Sequence, residues 1–313
     1  MSKVLAVTLG DRYGIGPELV GKLIGAVTPD AGVIIGDPAV LKDDLPRATS
    51  IGDAPAGWSL LARPASLPTV PLGHMSPDAG REMLDALAFV AEAASKGEVG
   101  GIVYAPLNKQ AMKEAGHAAG DELAFLETRM KARGMTGEVN ILGELWTSRV
   151  TSHVPLGHVA TLITRERVGA GIELLATALE RAGRTRPRLA IAALNPHAGE
   201  GGAFGSEEIE VLTPAIEEAR ARGRDVTGPF PSDTIFPRAV KGAFDGVVTM
   251  YHDQGQIALK MVGLGQGITL LAGFPVPIAT PGHGVAYDIA GKGAARPDGM
   301  IAATKLVLRM MGQ

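Results

Sequence analysis

Short, almost wholly apolar runs alternate along this chain with longer stretches whose apolar residues recur every three to four positions. The short runs are VLAVTL (4–9), GVIIGD (32–37), GIVYAPL (101–107), RLAIAAL (188–194) and DGVVTMYHD (245–253), and each predicts a strand. The longer stretches predict helices: one from about Pro17 after the turn GDRYGIGPE, then 77–97, 165–183, 207–223 and the last residues from Asp298. The 77–97 stretch closes on a glycine stop signal. Two β-prone runs, 149–156 and 159–163, read as a hairpin. No internal repeat or low-complexity linker interrupts the alternation. Strand followed by helix, repeated, predicts an α/β fold with a mainly parallel sheet and helices on both faces. Ligands in such sheets bind beyond the carboxyl ends of the strands. The unusual polar residues of this chain cluster there.

Composition narrows the partners. The chain has 313 residues, enough for two lobes or one large α/β domain. Its net charge is −3 and its pI about 6.2, with no basic run, which disfavours nucleic acid and anionic membrane. The absence of cysteine excludes disulfides and zinc–thiolate sites. The first residues, MSKVLAVTLGD, lack a long apolar signal region, and no apolar segment reaches membrane-spanning length, so a cytoplasmic protein is expected. Aromatics are 4% against 42 glycines, which suits a core of Ala, Gly and Val.

The most distinctive segment is the glycine-rich TPGHGVAYDIAGKGAARP at 280–297. Glycine lets backbone approach a ligand closely, because it has no Cβ and tolerates positive φ. Asp288 within it could bond a ribose diol, as acidic residues do in many NAD sites. An ordinary turn ahead of the last helix would use the same residue types.

Three of the seven histidines lie in compact polar motifs at predicted strand ends: His153 in TSHVPL, His197 in LNPHAGEGG and His252 in MYHDQG. A lone histidine is more often a packed or surface residue than a ligand. Three at successive strand ends converge on one crevice and become candidate metal ligands. Imidazole suits Zn, Mn, Co, Ni or Fe, whereas Mg prefers oxygen, and three ligands leave positions open for substrate.

Two resemblances join these features. The 280–297 loop resembles the adenosine-binding loop of the isopropylmalate and isocitrate dehydrogenase superfamily, which implies cofactor contacts at His283, Gly284, Ala286 and Asp288. In that superfamily a Lys at the position of Asp288 accompanies NADP and an Asp accompanies NAD, so NAD is implied. Further, GDRYGIGPE, APLNKQAMKEAG, SHVPLGHV, LNPHAGEGGAFGSEE, GPFPSDTIF, YHDQGQIALK and HGVAYDIAGKG follow in order the motifs of the 4-hydroxythreonine-4-phosphate dehydrogenase family. The match runs from residue 10 to residue 293. It implies a divalent metal held by His153, His197 and His252, one of them from the partner subunit, and hence a homodimer with a shared active site. It also implies oxidation, by NAD, of a secondary alcohol β to a carboxylate, with loss of CO2 from the keto acid. Candidate proton acceptors are Lys109, Asp233, Asp253 and Lys260. The family places Asp233 and Asp253 in the active site, Asp253 could orient a ligand histidine or sit near the nicotinamide, and Lys260 matches a substrate-anion-binding lysine.

The chain departs from the family where the substrate phosphate would sit. Asp121 and Glu122 stand where a His-Thr pair is expected, Thr269 replaces an Asn, and Ile278 replaces an Arg. Acids beside a dianion repel it, but Asp121 and Glu122 could instead bind the hydroxyls of a polyol substrate, and with Thr269 they are candidate substrate-binding residues. Arg12 replaces the usual Pro of the first turn and is a candidate substitute anion contact. A hydroxy acid without phosphate, or a cis-dihydrodiol carboxylate, is therefore an alternative to a phosphorylated substrate. Transferases of acyl phosphates share the scaffold without metal or NAD, and a non-catalytic binding protein is a third alternative. The implied fold is isopropylmalate-dehydrogenase-like: an NAD-binding lobe of 1–118 plus 273–313, a central metal, substrate and dimerisation lobe of 119–272, and a cleft between them. The glycine-rich segments 199–205 and 263–267 are candidate flexible elements, and GEGGAF could equally be a rigid nest for the cofactor.

Overall fold

The computed structural model describes residues 4–41, 44–64, 70–117, 121–130, 132, 134–263 and 267–313. In chain order its elements are β1 (Val4–Thr8), α1 (Gly16–Ile24), β2 (Ala31–Gly36), β3 (Arg47–Ala48), β4 (Gly57–Ala62), α2 (Pro77–Ser95), β5 (Val99–Tyr104), α3 (Lys109–Glu114), α4 (Glu122–Met130), β6 (Gly137–Leu142), β7 (Leu145–Arg149), α5 (Val159–Leu162), α6 (Arg165–Arg181), β8 (Leu189–Ala192), α7 (Thr213–Ala221), β9 (Val226–Phe230), α8 (Ser232–Val240), β10 (Gly246–Thr249), α9 (His252–Gly263), β11 (Ile268–Ala272), β12 (Ile278–Pro281) and α10 (Asp298–Met311).

The chain divides into two compact units, Met1–Arg133 with Ile268–Gln313, and Gly134–Gly267. These boundaries differ from 118 and 272, the first of which lies outside the described residues. α4 stays with the first unit because it packs on α2. β11 stays there because it pairs with β12, Thr269 opposite Thr280.

In the first unit the strand order is β3-β4-β2-β1-β5-β12-β11. All pairings are parallel except β11 with β12. All five residues of β1 and all six of β2 and of β5 are buried, the signature of strands covered on both faces. Their side chains pack against Met83, Leu87 and Val90 of α2 and Leu126 of α4. α2 begins with Pro77 at its first turn and ends before Gly97, whose φ of +78° lets the chain leave the helix.

In the second unit the order is β6-β7-β10-β8-β9, with β6 and β7 antiparallel and the rest parallel. Its core joins Ala190, Ala192 and Val247 of the strands to Ile235, Phe236 and Leu259. The α/β class with a mostly parallel sheet is thus what the chain adopts.

Three local expectations change. The 159–163 run does not form a hairpin strand: Leu156–His158 is a 3-10 turn and Val159–Leu162 a helical turn. Pro155 and Gly157 break the first run, and among the described residues no strand pairs with the second. The helix expected over 207–223 opens as a wide π turn at Glu208–Leu212 before α7. The strand ending at Asp253 stops at Thr249, and His252 starts α9.

Candidate active site

The first unit builds a fixed loop after β12. The Ile15 N–H donates to Val285 O at 3.0 Å. Tyr287 OH donates to Asp11 Oδ2 at 2.5 Å, and Asn108 Nδ2 donates to the same hydroxyl at 2.8 Å. Further on, Lys22 Nζ donates to Gly293 O and Ala295 O at 2.9 and 2.7 Å. Ala286 sits at φ +44°, a left-handed conformation unusual for a side-chain-bearing residue. The loop therefore lies against the first turn and α1 in one shape, with Asp288 exposed beyond it. His283 Nδ1 lies 3.2 Å from Gly284 O.

Asp11 is fully buried under this loop. Burial pushes its carboxyl above the ordinary range, against the hydrogen bonds from Tyr287 and the Tyr13 N–H. The Tyr287 hydroxyl is pushed up as well, by burial first and by the neighbouring Asp11 next.

Arg12 does not face an open crevice. Its guanidinium donates to Asp37 at 2.9 Å and to Glu82 at 3.3 Å, with one tenth of the side chain exposed. Its charge is answered by two carboxylates, which removes the argument for it as a substrate anion contact. Beside it lies a cavity of about 390 Å3 at the carboxyl ends of β1, β2 and β4, lined by Gly10, Gly36, Arg63, Arg81 and Glu82. Thr8 Oγ1 is buried on its wall with no hydrogen-bond partner among the described residues.

Burial raises the Glu82 carboxyl above its ordinary range, opposed by Arg12 and assisted by Asp37 and Asp11. The folded chain then binds these protons more tightly than the unfolded chain. The stability so contributed is complete below the unfolded carboxylate range and is lost as pH rises through the raised folded-state values of Glu82 and Asp11. Glu82→Gln is expected to flatten that decline in a series of urea midpoints against pH. A mutant profile parallel to the wild type would show that Glu82 contributes nothing to it.

The second unit holds the histidines beyond β7, β8 and β10. Val150 and Thr151 donate to Thr249 O and Met250 O at 2.9 and 3.1 Å, extending the parallel pairing past both strands. This brings His153 and His252 together, ring centroids 5.8 Å apart. His252 Nδ1 lies 2.7 Å from Asp253 Oδ1. A carboxylate on one ring nitrogen fixes the tautomer and leaves Nε2 for a ligand. The His197 ring lies 5.9 Å from that of Phe204, and among the described residues no three His, Asp or Glu groups of one chain are placed to hold a metal.

His197 sits in a run of left-handed residues with φ of 54°, 54°, 80°, 43° and 64° at His197, Ala198, Gly199, Glu200 and Gly201. Three of the five carry side chains, at about 1–2 kcal/mol each, roughly 3–6 kcal/mol together. Such strain persists only where the surroundings over-determine it. The 199–205 segment is accordingly a fixed turn, with Phe204 N–H donating to Gly199 O at 3.2 Å. Most of the other glycine-rich segment, 263–267, lies outside the described residues.

Residues not singled out in the sequence tie the site together. Gln254 Oε1 accepts from the Met250 N–H at 2.7 Å, while its Nε2 donates to Ala193 O at 2.8 Å and Ser232 Oγ at 3.0 Å. One amide thus joins the start of α9, the end of β8 and the start of α8, where Asp233 lies exposed. The only sequence signal for Gln254 is its place inside YHDQG.

The model of the family described as pyridoxal phosphate biosynthetic protein PdxA matches residues 30–307. A D-threonate 4-phosphate dehydrogenase of Salmonella typhimurium is 36% identical, covering 99% of both chains. A crystal structure of 4-hydroxythreonine-4-phosphate dehydrogenase from Klebsiella pneumoniae superposes with a TM-score of 0.86 at 33% identity, covering 100% of this chain and 99% of that one. A terephthalate 1,2-cis-dihydrodiol dehydrogenase from Burkholderia xenovorans gives 0.70 at 28%, covering 99% and 98%.

The chain belongs to the PdxA family. It is an oxidoreductase of the dehydrogenase type, acting on a CH–OH group.

Within this family member the remaining expected residues divide. Lys109 Nζ lies 3.2 Å from Glu122 Oε2, so the lysine expected as a base and the acid expected at the substrate face one another. Asp121 does not reach for a ligand with Oδ1, which accepts the Ala124 N–H at 3.0 Å and caps the start of α4. Ile278, in the arginine position, is fully buried in β12. Thr269 is half-buried on β11, and Lys260 is exposed on α9. No helix among the described residues is long and apolar enough to cross a membrane.

Proposed function

We propose that this chain is an NAD- and divalent-metal-dependent dehydrogenase that oxidises a secondary alcohol β to a carboxylate, with loss of CO2 from the keto acid. The observation that carries it is the His153–His252 pair, with Asp253 on the second ring, at the carboxyl ends of β7 and β10. Two imidazoles at this separation fit one shared ion, with His197 as the third ligand and one of the three supplied by a second copy of the chain. A homodimer with a shared site fits the large apolar side chains exposed at two of these motifs: Val154 and Leu156 after His153, and Phe204, whose ring lies 5.9 Å from that of His197.

A bound divalent ion would lower the pKa of the substrate hydroxyl and stabilise negative charge as hydride leaves to NAD. The chain's own residues do the rest. Asp253 keeps His252 in the tautomer that presents Nε2. With Asp253 so engaged and Lys109 set against Glu122, the Asp233 carboxylate is the proton acceptor we favour. Asp288 holds the adenosine ribose, on a loop whose shape Asp11 and Tyr287 maintain. Asp288→Ala is expected to raise KM for NAD about 10–100-fold, the loss of a charge-assisted hydrogen bond. An unchanged KM for NAD in initial-rate assays would remove Asp288 from the cofactor site.

The substrate class we assign is a phosphorylated hydroxy acid, by likeness to the named relatives. One observation favours a second reading, a hydroxy acid or dihydrodiol carboxylate without phosphate. The Lys109–Glu122 pair and the buried Ile278 leave fewer free cations for a dianion. The test is a screen on metal-loaded protein with NAD, following NADH absorbance. Turnover of 4-phosphohydroxythreonine or D-threonate 4-phosphate supports the first class, and turnover of unphosphorylated acids alone supports the second. No NADH from either would sink the proposal.

A further inference from the structure

We propose that Glu208 is the positioning residue that holds the His197 turn left-handed and so sets where that imidazole can meet a metal ion. The metal part of this rests on the reading of His197 as a ligand. Glu208 is 2% exposed, a depth at which a carboxylate must be bonded. Its Oε1 accepts the N–H groups of Leu194 and Asn195 at 2.9 and 2.8 Å. Its Oε2 accepts Asn195 Nδ2 at 2.9 Å, and Glu207 Oε2 accepts the same amide at 2.7 Å. All three donors belong to the two residues just ahead of Pro196 and His197.

The carboxylate also shapes the turn from inside. A Cβ on Gly199 would lie 2.8 Å from Glu208 Oε2, so the glycine is required both by its φ and by this contact. A Cβ on Gly205 would lie 2.5 Å from Asn195 Nδ2 and 2.7 Å from Glu207 Oε2. Glu208 opens the π turn of Glu208–Leu212, a widened helix geometry found often at functional sites. Three converging donors call for a group that only accepts, which an ionised carboxylate is and an amide is not. Glu208→Gln keeps the shape and one oxygen for the two backbone N–H groups. It sets its own NH2 against Asn195 Nδ2.

The test uses the full-length protein with Co2+ as a spectroscopic probe. Wild type, Glu208→Gln and Glu208→Ala are titrated with Co2+ and followed in the visible spectrum. Hydrogen exchange of the peptide spanning 193–205 is measured on the metal-free proteins. The expected result is a ~10–100-fold weaker Co2+ affinity in both variants, the usual effect of removing a partner that orients a ligand. Faster exchange confined to that peptide and a lower kcat at unchanged KM for NAD are expected alongside. Should Glu208→Ala fail to fold, Glu208→Gln carries the test alone. A lower melting temperature with Co2+ affinity and local exchange as in wild type would overturn the proposal. Wild type that binds no Co2+ would overturn the ligand reading of His197 instead. In that case the exchange data alone decide whether Glu208 clamps the turn.

Discussion

Replacing His252 with alanine is expected to abolish tight metal binding and to lower kcat/KM by roughly three orders of magnitude, about 4 kcal/mol of transition-state stabilisation. The size follows from what the residue joins. His252 starts α9, lies 5.8 Å from the His153 ring, and carries Asp253 on its other nitrogen. Removing it leaves His153 without its neighbour in the same chain and Asp253 without its ring. The fold should survive, because the ring is not in the core and the start of α9 is held by Gln254. Metal analysis after dialysis and steady-state rates on the substrate found by the screen would check this. A variant that keeps both metal and rate would remove the histidine pair from the chemistry. Asp253→Asn should show a smaller loss of metal affinity if its role is to orient His252.

Gly80→Ala is expected to destabilise the chain by about 2 kcal/mol, with a lower urea midpoint at unchanged slope. Helix propensity alone predicts the opposite sign. Gly80 lies inside α2, where alanine is favoured over glycine by about 1 kcal/mol. In the folded chain a Cβ at Gly80 would lie 2.1 Å from Ala111 O and 2.4 Å from Ala111 C. Those are backbone atoms of α3, so no rotamer change relieves the clash, and α2 and α3 must move apart. A midpoint that rises would mean the two helices are not in close contact.

The strands were legible because parallel strands bury both faces and so appear as unbroken apolar runs, as in 4–9 and 188–194. α9 was not, because MYHD continues the apolar character of β10 and Gly255 sits in the helix's first turns. That glycine packs against Thr249, with 3.4 Å from its virtual Cβ to Oγ1. The run VATLI reads as a strand by its β-branched residues, yet a strand needs a partner and none is offered.

The site divides along the same line. His153, His197 and His252 stand out because an unusual residue type recurs at strand ends. Arg12 and Asp121 also look like site residues, and their fates were hidden. The carboxylates that neutralise Arg12 lie 25 and 70 positions away, at Asp37 and Glu82. Asp121 is read as a ligand group until the start of α4 places the Ala124 N–H above it.

Periodicity by itself determined an α/β chain and the order of most strands and helices, and the resemblance of motifs spread from residue 10 to residue 293 implied the family. These depend on local patterns, which each segment carries on its own. Only the tertiary structure decided the sign of Gly80→Ala, the pairing of Arg12, the approach of His153 to His252, and the clamp of Glu208 on a left-handed turn. Each is a contact between residues far apart in the chain, or a backbone conformation held by such a contact, and neither leaves a periodic trace in the sequence.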